Sequence, residues 1–355
     1  MQNGFANNGV CSSESVNGNR DACSCKDSDF LSADHLVIMV HGILGSSSDW
    51  KFGAEQFVKS LPDKVFVHCS EQNMSKRTLD GVDIMGERLA KEVLEIIQEN
   101  PNLCKISFVA HSVGGLVARY AIGRLYKPPK EEVKEDTSGN GCKEEAKGTI
   151  GGLEAMNFIT VAAPHLGSRG NKQYIIPHQC WYVKGISHCQ MIFAYWCSKI
   201  FVSRGTGRHL FLTDDDEGKP ALLKQMPDDC DEFYFMSALR IFKRRVLYSN
   251  VAYDHIVGWR TSSIRRNSEL PKWEESLNET YPHIVYEEHC KAYDNDQDET
   301  ISAEDDGSSD KLEEELVRGL SRVSWEKIDV SFHRSKQRIA AHSVIQVSSP
   351  LPHRS

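Results

Sequence analysis

No stretch of the 355-residue chain reaches the roughly 18 continuous apolar residues that a transmembrane helix needs. The longest candidate, MIFAYWCSKIFV at 191–202, is short and is interrupted by a lysine. The N-terminus, MQNGFANNGVCSSESVNGNRDACSCKDSD, lacks the apolar core of a secretory signal and the Arg-rich amphipathic character of a transit peptide. A cytoplasmic location is therefore expected, with peripheral contact with a membrane or lipid droplet at most. An excess of basic charge is missing too. The 50 acidic residues against 42 basic ones give a net charge of -8 and argue against nucleic acid as a partner. The 11 cysteines are scattered, with no two pairs at zinc-site spacing, and they read as reduced thiols. No metal or cofactor is expected, and there are no internal repeats.

What is present is a core. Forty per cent of the chain is hydrophobic, enough for one large α/β domain with insertions. Residues 1–34, rich in Asn, Ser, Gly and Asp, read as a disordered leader. Short branched runs then read as strands buried on both faces: LVIMV (36–40), KVFVHCS (64–70), KISFVAHS (105–112), MNFITVAAP (156–164), RRVLYSNVAYD (244–254) and KIDVSFH (327–333). Residues 82–99 and 113–126 have helical spacing. This alternation predicts an α/β-hydrolase-type architecture, a mostly parallel central sheet with helices on both faces, over residues 35–347. Residues 165–240 read as an inserted cap, and 348–355 as a tail. The charged segments 127–150 and 294–315 read as solvated loops, the second grading into a helix near Lys311–Leu320.

The chemistry is expected where strand meets helix without a spacer, at Ala110-His111-Ser112-Val113-Gly114. Acyl transfer needs a nucleophile raised clear of the sheet on a sharp turn. Small residues two before and two after it let strand and helix pack around that turn, and Ala110 and Gly114 meet the size rule. His41-Gly42-Ile43-Leu44-Gly45 closes an earlier strand, and its backbone can approach a substrate closely. An oxyanion would find one N–H donor at Val113 and another at Ile43, with Leu44 the alternative. Asp254 follows the strand after the excursion and is the candidate acid, with the Asp214–Asp216 cluster the competitor, read as a solvated turn. For the base there are two candidates after the last strand, His342 and His333. His342 is favoured because a loop can fold it back toward the serine. The order Ser112, Asp254, His342 is that of α/β-hydrolases rather than of chymotrypsin- or subtilisin-like enzymes.

The blocks VIMVHGILGSSSDW, FVAHSVGGLVARYAIG, ITVAAPHLGSRG, HLFLTDDDEGKPALL and YDHIVGWRTSSIRR resemble the "putative serine esterase" family of lipase-like α/β-hydrolases, a former domain of unknown function common in plants. The resemblance implies a lipase- or phospholipase-type hydrolase with Ser112 as nucleophile. It supports Asp254 and His342 through shorter motifs. It leaves the ester open.

Within the expected cap, Trp181, Tyr182, Met191, Ile192, Phe193, Tyr195, Trp196, Ile200, Phe201 and Val202 could cover an acyl chain, dip into a membrane surface, or simply pack. Arg260, Arg265 and Arg266 could meet a phosphate headgroup, but neighbouring acids are the expected partners. The leading expectation is a lipid-ester hydrolase. An acyltransferase or thioesterase with the same triad, and a non-catalytic lipid-binding scaffold, are the alternatives.

Overall fold

Each short apolar run becomes a strand, and the segments of helical period between them become the crossovers. The computed structural model describes residues 10–11, 33–129, 147–168, 203–216, 218–230, 232–272, 280–293, 308–335 and 338–346. In chain order the elements begin with β1 (Val10–Cys11), β2 (His35–Val40), α1 (Lys51–Ser60), β3 (Val65–Cys69), α2 (Val82–Glu99), β4 (Lys105–His111) and α3 (Gly114–Leu125). The short pair β5 (Tyr126–Lys127) and β6 (Thr149–Ile150) follows, then β7 (Glu154–Val161), α4 (Gly205–Phe211) and α5 (Leu222–Gln225). A second short pair, β8 (Asp229–Cys230) and β9 (Phe233–Tyr234), leads into α6 (Phe235–Ile241), β10 (Arg244–Asn250) and α7 (Trp259–Ser263). The chain closes with β11 (Ile284–Cys290), α8 (Ser308–Leu320), β12 (Trp325–Val330) and α9 (Ala341–Val344).

Among the described residues, eight strands form one sheet in the order β1-β3-β2-β4-β7-β10-β12-β11. All neighbours are parallel except β11, which runs antiparallel to β12 at the edge. The chain winds from β2 outward to β3, then returns to the other side of β2 with β4. At such a switch point the carboxyl ends of two neighbouring strands open a crevice. The register pairs Val40 with Ala110 and His111 with Val161, so the ends of β2, β4 and β7 stand side by side. The strand order and this crevice are those of an α/β-hydrolase fold.

Alternate residues of the strands feed two apolar clusters. Leu36, Ile38, Ile106 and Phe108 face α2 and α3, and Val37, Met39, Val67 and Val109 face Trp50 and α1. Phe108, Phe158 and Phe242 meet with ring centroids 5.6–6.5 Å apart, tilted or edge-on, the arrangement aromatic quadrupoles favour.

Several expectations change. Within the leader, Val10 and Cys11 pair with Val67 and His68 as an edge strand, and the rest of 1–32 lies outside the described residues. The end of the expected cap is core instead: α6 buries Phe235, Met236, Ala238 and Leu239 in the cluster shared with α3. The aromatic run Trp181–Val202 lies outside the described residues, as do 130–146 and 294–307. One expectation holds: the three arginines pair with acids rather than standing out for a headgroup. Arg260 meets Glu313 at 2.6 Å, and Arg266 meets Glu269 at 2.5 Å and Glu314. Arg265 reaches Asp329 at 2.8 Å and Glu288 at 2.9 Å. Glu313 and Glu314 belong to the acidic run that reads as solvated; on α8 they are ion-pair partners instead.

The Arg265–Asp329 pair is buried, with side-chain exposures of 2% and 0%. Removing Asp329 leaves the buried Arg265 charge with only the half-exposed Glu288 as a partner. Asp329→Ala is expected to destabilise the protein by ~3 kcal/mol in urea unfolding. Arg244→Ala, which breaks the exposed pair with Glu326, is expected to change stability by less than ~1 kcal/mol.

Candidate active site

The turn between β4 and α3 is strained. Ser112 has φ +54°, in the left-handed region, and its amide donates to the Val161 carbonyl at 2.9 Å. A Cβ on Gly114 would lie 2.5 Å from the His41 carbonyl oxygen and 2.9 Å from that of Val40. Only glycine lets α3 start this close to the end of β2. Gly42 is constrained as well, since a Cβ there would meet Ser112 Cβ at 2.9 Å. Ala110 is fully buried behind the turn. The small residues of both motifs thus have one function, bringing two strand ends into contact beneath Ser112.

Ser112 Oγ lies 2.9 Å from His342 Nε2, and His342 Nδ1 lies 2.9 Å from Asp254 Oδ2. All three are buried. Asp254 follows β10 and is held on both oxygens: Asn250 Nδ2 donates to Oδ2 at 2.9 Å, and the amides of Ile256 and Val257 donate to Oδ1 at 3.0 and 2.8 Å. Burial pushes the Asp254 carboxyl up. The hydrogen bond and charge of His342, with the Val257 amide and Asn250, more than offset it and leave the group below the usual carboxylate range. A carboxylate fixed in this way makes His342 carry its proton on Nδ1 and turns the lone pair of Nε2 to the Ser112 hydroxyl.

His111 braces His342 from behind. Its Nε2 donates to the His342 carbonyl at 2.7 Å, and the two rings sit 4.7 Å apart. Burial, with the neighbouring His342 adding to it, pushes the His111 imidazole down to about 3, so it stays neutral. Across Ser112 lies the Gly42–Gly45 turn, closed by the Gly45 amide on the Gly42 carbonyl at 3.1 Å. The Leu44 amide is engaged by Thr78 Oγ1 at 2.8 Å. The amides of Ile43 and Val113 have no acceptor among the described residues. No cluster of three or more His, Cys, Asp or Glu that could hold a metal ion occurs among the described residues. None of them forms a helix long and apolar enough to cross a membrane.

Residues 31–264 match the family described as Putative serine esterase (DUF676). The chain belongs to this family. It is 30% identical over 242 residues to the Putative lipase ROG1 of Saccharomyces cerevisiae, 65% of this chain and 28% of that protein. It is 28% identical over 253 residues to the Putative lipase C4A8.10 of Schizosaccharomyces pombe, 68% of this chain and 27% of that one. The match thus spans under a third of either relative's length. Among solved structures, the chain is similar to the mature lipase BlEst2 of Bacillus licheniformis at 17% identity and a TM-score of 0.34, over 61% of this chain and 66% of that one. It is likewise similar to the RedJ thioesterase of Streptomyces coelicolor at 16% identity and a TM-score of 0.34, over 66% and 73%. The fold assignment rests on the strand order rather than on these two.

In this serine esterase family member, Ser112, Asp254 and His342 come together from three distant segments. His333 does not join them; its Nδ1 pairs with Ser331 Oγ at 2.9 Å. The Asp214–Asp216 cluster is not simply a solvated turn. The Asp214 side chain is mostly buried, accepts from the Leu222 amide at 2.8 Å and lies 3.5 Å from His209 Nε2. His342 differs from expectation in its setting: it stands in the helical turn α9, after the 3-10 turn Arg338–Ala340, rather than in a loop. Apolar Ala341, Val344 and Ile345, packed against Val330 and Phe332, hold that turn on the sheet. Of the two oxyanion alternatives, Leu44 has its amide committed and Ile43 does not. Asn250, Thr78 and the brace formed by His111 are not legible in the sequence. Asn250 had one faint signal, a polar residue ending an apolar strand four positions before Asp254.

His111 ties pH to stability with a definite sign. It is neutral in the fold, whereas an unfolded histidine takes up a proton below ~6.5. The stabilisation is therefore complete above that pH and is lost as pH falls toward 3. His111→Gln, which keeps a donor for the His342 carbonyl, is expected to flatten the decline of urea stability between pH 6.5 and 4, by up to ~1.4 kcal/mol per pH unit.

Proposed function

We propose that this esterase family member hydrolyses carboxylic esters, lipid esters foremost, with Ser112 as nucleophile, His342 as base and Asp254 as its orienting acid. The observation that carries the reading is the unbroken line from Asp254 through His342 to Ser112, 2.9 Å at each link, ending on a left-handed turn. Ser112 Oγ attacks the ester carbonyl as its proton passes to His342 Nε2. The resulting oxyanion is taken up by the N–H groups of Ile43 and Val113, in a site where preorganised donors act strongly. Asp254 stabilises the imidazolium. The carbon–oxygen bond to the alcohol breaks, and the leaving oxygen takes the proton from His342. Water then attacks the acyl-enzyme, giving its proton to His342. The tetrahedral intermediate collapses to the free acid, and the proton returns to Ser112.

Support for a lipid substrate comes from the rim. Leu44, Met74, Tyr253 and Ile256 are large, apolar and exposed, and they stand on loops after β2, β3 and β10, at the same carboxyl edge as Ser112. Exposed apolar side chains gathered at one edge favour contact with acyl chains or a lipid surface. The sequence between Glu154 and Asp214 also contains no acidic residue but six Lys and Arg, in a chain of net charge -8. A basic, aromatic-rich stretch favours anionic lipid surfaces, and peripheral membrane or lipid-droplet contact from the cytoplasm is part of the proposal.

Labelling of the folded protein with a fluorophosphonate probe tests the reaction. Loss of labelling is expected in Ser112→Ala, a loss of at least ~10³-fold in rate in His342→Ala, and near wild-type labelling in His333→Ala. Labelling kept in Ser112→Ala would sink the nucleophile assignment. With wild type active, an ester series of rising chain length is expected to favour long acyl chains presented in micelles, with release of the free acid even when an alcohol acceptor is added.

A further inference from the structure

The turn Gly42–Gly45 is held from outside, and the group that holds it is a buried threonine. Ile43 N–H and Gly42 C=O belong to one peptide plane and point in opposite directions. The Gly42 carbonyl is pinned by the Gly45 amide at 3.1 Å and by His41 Nδ1 at 3.0 Å, which aims the Ile43 N–H the other way. Leu44, the third residue of the turn, holds φ +55°, a conformation that strains a leucine. Released, Leu44 would relax to negative φ and rotate the plane that carries the Gly45 amide, loosening the bond that pins the Gly42–Ile43 plane. Thr78 prevents this. Its Oγ1 donates to the Ser75 carbonyl at 2.6 Å, which turns a lone pair to the Leu44 amide 2.8 Å away. A second bond, from the Ser75 amide to the Gly45 carbonyl at 2.8 Å, ties the same two loops.

Thr78 is fixed in turn by α4, which lies within the 165–240 insertion. Thr206 Oγ1, in α4, donates to the Thr78 carbonyl at 2.7 Å and accepts the Gly81 amide at 3.1 Å. His209 Nδ1, one turn along α4, accepts the Val82 amide at 3.0 Å and so caps α2. We infer that Thr78 is a positioning residue for the oxyanion donor Ile43, and that α4 acts on the same donor through Thr206. This rests on the hydrolase reading above, in which Ile43 meets the oxyanion.

The test compares Thr78→Val, Thr78→Ser, Thr206→Val and the double valine variant on a soluble short-chain ester, with a trifluoromethyl ketone as an analogue of the tetrahedral intermediate. Thr78→Val is expected to lower kcat by ~10–100-fold with KM within ~3-fold, and to weaken ketone binding by a similar factor. Thr78→Ser, which keeps the hydroxyl, should stay within ~3-fold of wild type in both. Thr206→Val should lower kcat by ~3–10-fold, and the double variant should be no slower than Thr78→Val, because both substitutions act on one group. A folded Thr78→Val with wild-type kcat, or multiplying effects in the double variant, overturns the inference. Should Thr78→Val not fold, Thr206→Val decides: a wild-type kcat and ketone affinity there overturn it. A wild type no faster than Ser112→Ala would instead bring down the hydrolase reading and this inference with it.

Discussion

The left-handed turn at Ser112 is the constraint around which the neighbouring elements are arranged. A strained residue of this kind carries a penalty of ~1–3 kcal/mol and persists only where its surroundings over-determine it. Here the surroundings are β4 and α3, whose Phe108, Leu116, Ala118 and Ile122 are all fully buried. Each large side chain among them contributes ~1.5–3 kcal/mol on leaving water, so two suffice to offset the turn. The glycines of the two motifs set no strain themselves; they remove the Cβ atoms that would hold β2 away from α3. Strand pairing then brings Val161 under the Ser112 amide, and the Asp254 loop follows from the pairing of β7 with β10.

Three ionisable side chains sit within one buried neighbourhood and are kept in different states by their partners. Asp254 accepts three amide N–H groups besides His342, enough to hold a carboxylate charged despite burial. Burial, with the neighbouring imidazole adding to it, keeps His111 neutral although the carbonyl it donates to favours its cation. His342 has the carboxylate on one nitrogen and the serine hydroxyl on the other. A neutral His111 matters for the pair: a second imidazolium 4.7 Å away would oppose any positive charge on His342.

The strands and the turn at Ser112 were legible because their signals are local. Apolar runs bounded by polar residues give strands buried on both faces, and Ala110 and Gly114 answer a size rule that depends only on neighbours in the chain. Asp254 and His342 were legible by chain order, although 88 positions separate them. What could not be read were properties of long-range packing. The Leu44 amide is spoken for by a threonine 34 residues on, and nothing in the spacing of either segment says so. The role of α6 was hidden because its short apolar pattern continues the expected cap and its burial depends on α3 being opposite. Acidic partners were expected for Arg260, Arg265 and Arg266, but apart from Glu269, three residues from Arg266, only the fold shows that they come from α8, β11 and β12.

Half of the strained non-glycine residues among the described ones gather at one edge of the sheet. Of the non-glycine residues with positive φ, Leu44, Ser112, Ala162 and Tyr253 follow β2, β4, β7 and β10 at the carboxyl edge of the sheet. Each is held by a specific contact: Thr78 on the Leu44 amide, Val161 on Ser112, the Tyr248 carbonyl on the Ala162 amide at 2.8 Å, and the Arg338 guanidinium 5.5 Å from the centre of the Tyr253 ring. Four such residues on one edge represent several kcal/mol that a fold selected for stability alone would shed. Relaxing any of them would turn a backbone group or a side chain away from the crevice. The parallel strands supply the rigid frame, and the strained residues at their ends convert it into a site by aiming a hydroxyl, a carboxylate and backbone amides at one point.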